Sequence, residues 1–479
     1  MTAQHPIEEH ANITAQHADD TPHPTAGRGV SRRSVLGFAG GGLAAIGVAA
    51  AGGFVAGRER PVPGTSQHAD AATTYPFTGE HQAGIVTPAQ DRMYVAAFDL
   101  TTTSRDALVA LLRTWTAMAA RLTQGHPAGT FGPASGPYDA PPDDTGEAAD
   151  LPPAGLTITF GFGRSLFVGT PAPDGTPGID RFGLAHRLPG ALVELPHFPK
   201  DALEPARSDG DLVVQACADD PQVAVHAIRN LSRAAFGTAT IRWTQLGYGR
   251  TSSTSTAQAT PRNLFGFKDG TANLKAEEPA AVDEHVWVPA ADATADASAR
   301  GTDSTWMTGG SYLVARRIRM VIETWDRTSL REQETLIGRT KGEGAPLSGG
   351  TEHTEADLDA TGRGGIPLIA ARSHVRLAHP SSNGGVRMLR RGYNFTDGND
   401  SLGRLDAGLF FIAFVRDPRT HYIPMQTTLS RDDALMEYLL HTGSGLFAVP
   451  PGLPAELLAT DGTPRTGSDA PFVGQALFA

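Results

Sequence analysis

The feature that leaves this chain fewest ways to fold is the order in which strand and helix patterns follow one another between Arg92 and Tyr248. Arg92 to Leu100 is rich in apolar, β-favouring residues, and Ser104 to Leu122 repeats Leu108, Leu111, Leu112, Trp115 and Met118 at helical spacings of three and four. Leu156 to Phe162 and Asp211 to Ala216 read as strands, Pro221 to Ala235 as a helix and Thr238 to Tyr248 as a strand. That order, β-α-β-β-α-β, predicts a ferredoxin-like unit with an antiparallel sheet covered on one face, and so an α+β fold. After Arg262 a second copy is expected: strand Ser311 to Ile322, helix near Ser329 to Ile337, strand Gly408 to Arg416, helix Asp432 to His441, strand Gly445 to Val449. Thr123 to Pro153, dense in Gly, Pro and Asp, predicts a surface excursion without regular structure.

A length of 479 residues calls for more than one core. Residues 1–72 are expected to form a disordered leader and signal, 73–260 an N-terminal domain and 261–479 a C-terminal domain. Within the leader, SRRSVLGF (Ser31 to Phe38) pairs two arginines ahead of an uncharged Gly/Ala-rich run to Gly57, closed by Arg58. The run is too weakly apolar for a good membrane span and suits a twin-arginine export signal, although Val35 stands where Phe is commoner. The expected partner is the twin-arginine export machinery. The expected address is extracellular, periplasmic or at the cell envelope, with an uncleaved anchor as the alternative. Cys217 is the single cysteine, so no intramolecular disulfide can form, which suits export in the folded state. A net charge of -11 argues against nucleic-acid binding.

Two segments carry the chemistry. Ser373 to Tyr393, SHVRLAHPSSNGGVRMLRRGY, offers His374 and then the basic pair Arg390 and Arg391; a neutral imidazole can ligate iron, and an arginine across from it can polarise a bound peroxide. Asn263 to Asn273, NLFGFKDGTAN, sets Asp269 between Gly266 and Gly270, with Asn273 four residues on. Glycines in such a turn let the backbone approach a flat ligand while the acid faces it.

Together these segments carry the GxxDG pattern, SHVRLAHP and RMLRRGYNF. They resemble the dye-decolorizing peroxidases, and within them the secreted class A branch that includes haem peroxidases of bacterial iron-uptake operons described as deferrochelatases. The likeness runs from about Tyr75 to the C-terminus. It implies two ferredoxin-like domains with non-covalent haem b held mainly by the C-terminal one, hydrogen peroxide and a reducing organic substrate as partners, and one-electron oxidation of dyes or phenols through an oxyferryl intermediate. A haem-handling protein that releases iron, or a redox partner in exported metal metabolism, is the alternative. No stable membrane span is expected in the mature form, and a homo-oligomer is an open expectation, because ferredoxin-like sheets with free edges associate.

The resemblance makes His374 the axial haem ligand, with His379 the competitor on chemistry alone. Its second ring nitrogen needs an acceptor, for which Asp433 and Asp417 are the candidates and Asp433 is preferred. Asp269 and Arg390 become the peroxide-cleaving pair, with Arg391 as the alternative arginine or a propionate contact. Asn273 is a candidate to orient pocket water, and Arg339 to pair with a propionate. GFGRSLF (Gly161 to Phe167) lacks the rest of a phosphate cradle and reads as a close-packed turn.

Overall fold

The computed structural model describes residues 71–172, 174–455, 467 and 469–479. The leader and twin-arginine segment expected at 1–72 lies outside them except for its last two residues.

The first half builds β1 (Arg92–Leu100), β2 (Thr157–Gly163), β3 (Leu212–Ala218) and β4 (Ala239–Arg250), with helices Arg105–Leu122 and Pro221–Ala234 between them. Ser104 caps the first helix by accepting from the Ala107 N–H, and Asp220 caps the second by accepting from Gln222 and Val223. Leu108, Leu111, Leu112 and Trp115 of one helix and Val223, Ala227, Ile228 and Leu231 of the other are buried against the sheet. The indole of Trp115 donates to the Leu231 carbonyl at 2.8 Å and ties the two helices together. The stretch 123–153 holds neither helix nor strand, as expected, and is pinned by Asp144, which accepts from the Ala128 and Gly146 N–H groups and bonds His226 at 2.9 Å.

The second half builds β5 (Ser311–Met320), β6 (Leu389–Arg390), β7 (Tyr393–Asn399), β8 (Leu405–Val415) and β9 (Leu439–Val449). In the first half the strands lie in the order β4-β1-β3-β2, and in the second as β9-β5-β8 followed by β7 and β6 side by side along β8. Both are ferredoxin-like arrangements, all antiparallel. The halves then share edges. β2 meets β9 at Phe162↔Ala448 and Gly163↔Phe447, and β4 meets β7 at Tyr248↔Asn394 and Arg250↔Tyr393. With β5 paired to both β8 and β9, the strands form a closed ring. Its interior holds Met93, Val95, Val213, Leu313, Phe410, Ile412, Phe414 and Phe447, contributed by both halves. The two halves therefore meet edge to edge at β2–β9 and at β4–β7.

Three sequence expectations need correction. The helix expected over Asp432 to His441 is a helix at Ile423–Asp432 and a short 3-10 turn at Ala434–Tyr438; Leu439 to His441 already belong to β9, because they pair with Met320, Arg319 and Ile318. The strand between Arg390 and Asn399 was not foreseen, since Arg391 and Gly392 break its alternation. Gly161 and Gly163 lie in strand β2 rather than a turn, and Gly163 is needed because a Cβ there would collide with the Gly210 carbonyl. No described helix is long and apolar enough to cross a membrane.

Candidate active site

His374 opens a short helix, His374–Ala378, after Ser373 in extended conformation. Buried Ser373 fixes the entry by donating its hydroxyl to the Ala370 carbonyl at 2.8 Å, and Val375 packs on the cluster of Phe265, Phe267 and Trp325. Nδ1 of His374 lies 2.7 Å from Oδ2 of Asp433. A carboxylate only accepts, so Nδ1 carries the proton and Nε2 presents a lone pair. Nε2 has no hydrogen-bond partner among the described residues, and the side chain keeps 37% of its surface open. Burial would by itself lower the imidazole pKa, but Asp433, helped by Asp269 and opposed by Arg390, outweighs it and raises the pKa above its ordinary value.

Asp433 serves two elements at once. It sits where the Ile423–Asp432 helix ends, its Oδ1 accepts from the Leu435 N–H at 2.8 Å as cap of the following turn, and Oδ2 is left for His374. Nearby, the Ala434 N–H donates to the Arg372 carbonyl, stitching this corner to the approach of His374. The other acid considered, Asp417, is bound by Arg419 at 2.7 Å and has no bond to His374; His379 is bound to Glu355 and Ser381.

Asp269 and Arg390 form an ion pair, Nη1 to Oδ1, at 2.7 Å. Asp269 is held in a turn closed by the Arg262↔Lys268 bridge, with its N–H donating to the Pro261 carbonyl and Asn263 Nδ2 reaching Oδ2 at 3.2 Å. Arg390 lies on β6, and the side chain of Asn273 serves as that strand's second partner: Oδ1 accepts from the Arg390 N–H at 2.7 Å and Nδ2 donates to the Arg390 carbonyl at 2.8 Å. Asn273 is buried, and its Nδ2 also donates to Ser253 at 3.0 Å. Its bonds among the described residues are to backbone groups of Arg390 and Ser253, so it positions Arg390.

Strand register shows what this pair faces. Arg390 is opposite Ala413, so its side chain shares a face with Phe411 and Leu409 on β8, away from the ring interior where Leu389 and Phe414 point. Leu409 and Phe411 are only half-buried although β8 is a central strand; nothing among the described residues fully covers them. Half-buried Met388 and Val375 add to the same apolar surroundings. Asp269 and Arg390 both act on the charge of His374, so acid and cation lie within electrostatic reach of the imidazole.

Other expected site residues lie elsewhere or act differently. Arg391 is fully buried and donates to the Ile85 and Thr87 carbonyls and to Gln90, so it braces the N-terminal half and makes no propionate contact. Gly266 and Gly270 both have positive φ, and the places of their absent Cβ atoms are taken by Lys341 Cε and Ser252 Cα, each at 2.8 Å. Positive φ favours glycine at both positions, and at Gly270 the Ser252 backbone also leaves no room for a Cβ. Arg339 donates Nη1 to the Gly344 and Glu352 carbonyls, leaving Nε and Nη2 without a partner among the described residues and open to a carboxylate.

Residues 82–249 match the family model for the N-terminal part of Dyp-type peroxidases, and residues 260–454 the model for their C-terminal part. The chain belongs to the Dyp-type peroxidase family. A dye-decolorizing peroxidase of Thermobifida fusca (strain YX) is 38% identical over 465 residues, covering 92% of this chain and 99% of the relative. A deferrochelatase of Escherichia coli (strain K12) is 36% identical over 400 residues, covering 83% and 88%. Among solved structures, ferric DtpA from Streptomyces lividans is 40% identical with a TM-score of 0.72, over 86% of this chain and 99% of that one. This Dyp-type peroxidase is thus an enzyme of a haem-binding family, consuming hydrogen peroxide and a reducing substrate. Its apolar wall, Leu409 and Phe411, was missed in the sequence. LFFIAF is a continuous apolar run, which marks a buried strand but does not say which face is left partly open.

Proposed function

We propose that this Dyp-type peroxidase would hold non-covalent haem b on the outer face of its C-terminal half, with His374 as the protein ligand to its iron and Asp269 and Arg390 as the peroxide-cleaving pair. The residues fit such a group: an imidazole nitrogen with no partner among the described residues, a half-open apolar wall, and Arg339 with donors unused among the described residues. Cys217 is the single cysteine and is buried, so covalent attachment through paired cysteines is excluded. The observation that carries the proposal is the arrangement of His374, oriented by Asp433, within electrostatic reach of the Asp269–Arg390 pair.

Haem, when bound, supplies the redox centre at which peroxide is reduced and from which donors are oxidised one electron at a time. The protein's part is proton and charge management. Cleaving peroxide requires a proton to move from the inner to the outer oxygen while charge builds on the leaving group. Asp269 has Oδ1 committed to Arg390, which leaves Oδ2, held only by the long bond from Asn263, as the atom that takes and returns the proton. The Arg390 guanidinium stays charged throughout and stabilises the departing oxygen. Asp433 draws on the Nδ1 proton of His374 and makes Nε2 a stronger donor. Bulky dyes and phenols are the proposed donors. We also propose export by the twin-arginine route, on the strength of Arg32 and Arg33, the weakly apolar run behind them and the absence of a second cysteine.

The test is stopped-flow absorbance of haem-loaded protein mixed with one equivalent of hydrogen peroxide, for the native chain, Asp269→Ala and Arg390→Ala. A fast Soret change in the native chain, slowed by about 10²–10⁴-fold in one or both variants, is expected. An unchanged spectrum, or demetallated porphyrin as the product, would replace peroxide chemistry with haem handling.

A further inference from the structure

Lys275, two residues beyond Asn273, takes no part in the chemistry above, yet its ammonium is held at the back of the Asp269 turn. Nζ donates to the Ser253 carbonyl at 2.7 Å, to Ser253 Oγ at 2.5 Å and to the Gly270 carbonyl at 3.4 Å. All three of its protons are used. The two segments it joins are already pressed together, because Gly270 lies against the Ser252 backbone too closely for a Cβ. Asn273 grips the same Ser253 carbonyl at 3.0 Å while holding Arg390 from both sides. One small cluster thus connects the residue after Asp269, the chain leaving β4, and the backbone of Arg390.

We propose that Lys275 is a positioning residue for peroxide cleavage: its charged ammonium clamps the Asp269 turn to Ser253 and so sets the geometry of the Asp269–Arg390 pair. This rests on the function proposed above.

The clamp depends on protonation. A neutral amine has two protons and a lone pair, so one of the three acceptors would face a lone pair and the grip would loosen. The groups around it are Arg390 on β6, Arg387 just before it, and Glu277 and Glu278 ahead of the next helix. The two acids are partly spent, Glu278 on Arg387 at 2.8 Å and Glu277 on Ser255 at 2.6 Å. Burial, and then the like charge of Arg390, bring the ammonium pKa down to about 8. The charge is held at an electrostatic cost, and it is lost in mildly alkaline solution.

The experiment compares native protein, Lys275→Met and Lys275→Arg, all haem-loaded, in the rate of the peroxide-induced Soret change from about pH 5.5 to 9.5. Amide exchange of the 261–276 segment is measured in parallel. The native rate is expected to fall with a midpoint near pH 8. Lys275→Met should be slower by roughly tenfold at pH 6 and show no inflection near pH 8, since a small displacement of catalytic groups has effects of this order or larger. Lys275→Arg, charged at every pH used, should stay within about threefold of native at pH 6 and lose the alkaline fall. Exchange at 270–273 should quicken in the Met variant only. A Met variant with native rate and native pH profile, or an Arg variant that fails to rescue the rate, would overturn the clamp. If the native protein does not react with peroxide, the underlying function is what fails. Exchange then decides alone: quickened in the Met variant, the clamp stands; unchanged, it falls.

Discussion

Asp433 shows how much one side chain can be asked to do. Its two oxygens serve different masters, the Leu435 N–H and the His374 ring, at 2.8 and 2.7 Å. Asp433→Asn separates the two: the amide oxygen can still cap the turn, whereas the charge facing Nδ1 is gone. The expected result is near-native thermal stability with a loss of about 10–100-fold in haem affinity or peroxide rate, the usual effect of removing a ligand's supporting acceptor. A variant that lost stability and kept full haem affinity would show that the cap matters more than the ring. In the sequence, Asp433 could also be read as a first-turn helix acid, and Asp417 competed with it. Only the chain path that brings 374 and 433 together separates them. Asn273 could be read either as orienting pocket water or as capping a turn, because a side chain that bonds to backbone looks in sequence like any polar pocket residue.

At the level of elements, β6 is two residues long, too short to hold its place through the β8 ladder alone. Asn273 supplies the missing neighbour by matching both backbone groups of Arg390. Asn273→Ala would leave the N–H and carbonyl of Arg390 without that partner in a buried setting, a cost of roughly 1–3 kcal/mol. We expect a lower melting temperature together with a slower peroxide reaction, measured by calorimetry and stopped flow. A variant that lost stability but kept the full rate would show that β6 stays in register without the amide. Long periodic elements such as the two N-terminal helices were legible because burial and period agree along their whole length. The β6–β7 strand was not, because Arg391 turns inward to brace the other half and Gly392 interrupts the pattern. The end of the Ile423–Asp432 helix was lost because Leu439 and Leu440 look helical until their pairing with β5 is known.

On the scale of the whole molecule, the two halves are also joined by a buried ionic knot. Asp201 comes from the long loop of the first half, and Arg316 and His441 from β5 and β9 of the second. Nδ1 of His441 accepts from Arg316 at 3.1 and 3.0 Å, so the ring must stay neutral; burial, and then the Arg316 charge, bring its pKa down to about 3. Between pH 6.5 and about 3 the unfolded histidine takes a proton that the folded one refuses, so stability from this site falls as the solution is acidified. His441→Gln keeps an acceptor for Arg316 without the titration. It should lose less stability than the native chain between pH 7 and 4.5, by at most roughly 3 kcal/mol. Equal losses in denaturant titrations at the two pH values would rule His441 out as the acid-sensitive group. The repeated ferredoxin-like order could be read from the sequence, but the joining of the halves could not, since it rests on two pairs of residues at each seam and on side chains far apart in the chain.

The closed ring also dictates an order of assembly. β2 is made early, yet its outer neighbour β9 emerges from the ribosome some 280 residues later, and until then the first half carries an unsatisfied strand edge. In the second half β7 is already paired with β8, and β4 meets only its other edge. Both seams join strands far apart in the chain, so their closing is expected to be a late step with the slow kinetics of long-range pairing. For a chain proposed to leave the cytoplasm already folded, that late step is a natural checkpoint: a ring that has shut has all of its strands, and one that has not still displays a sticky border to any chaperone that inspects it.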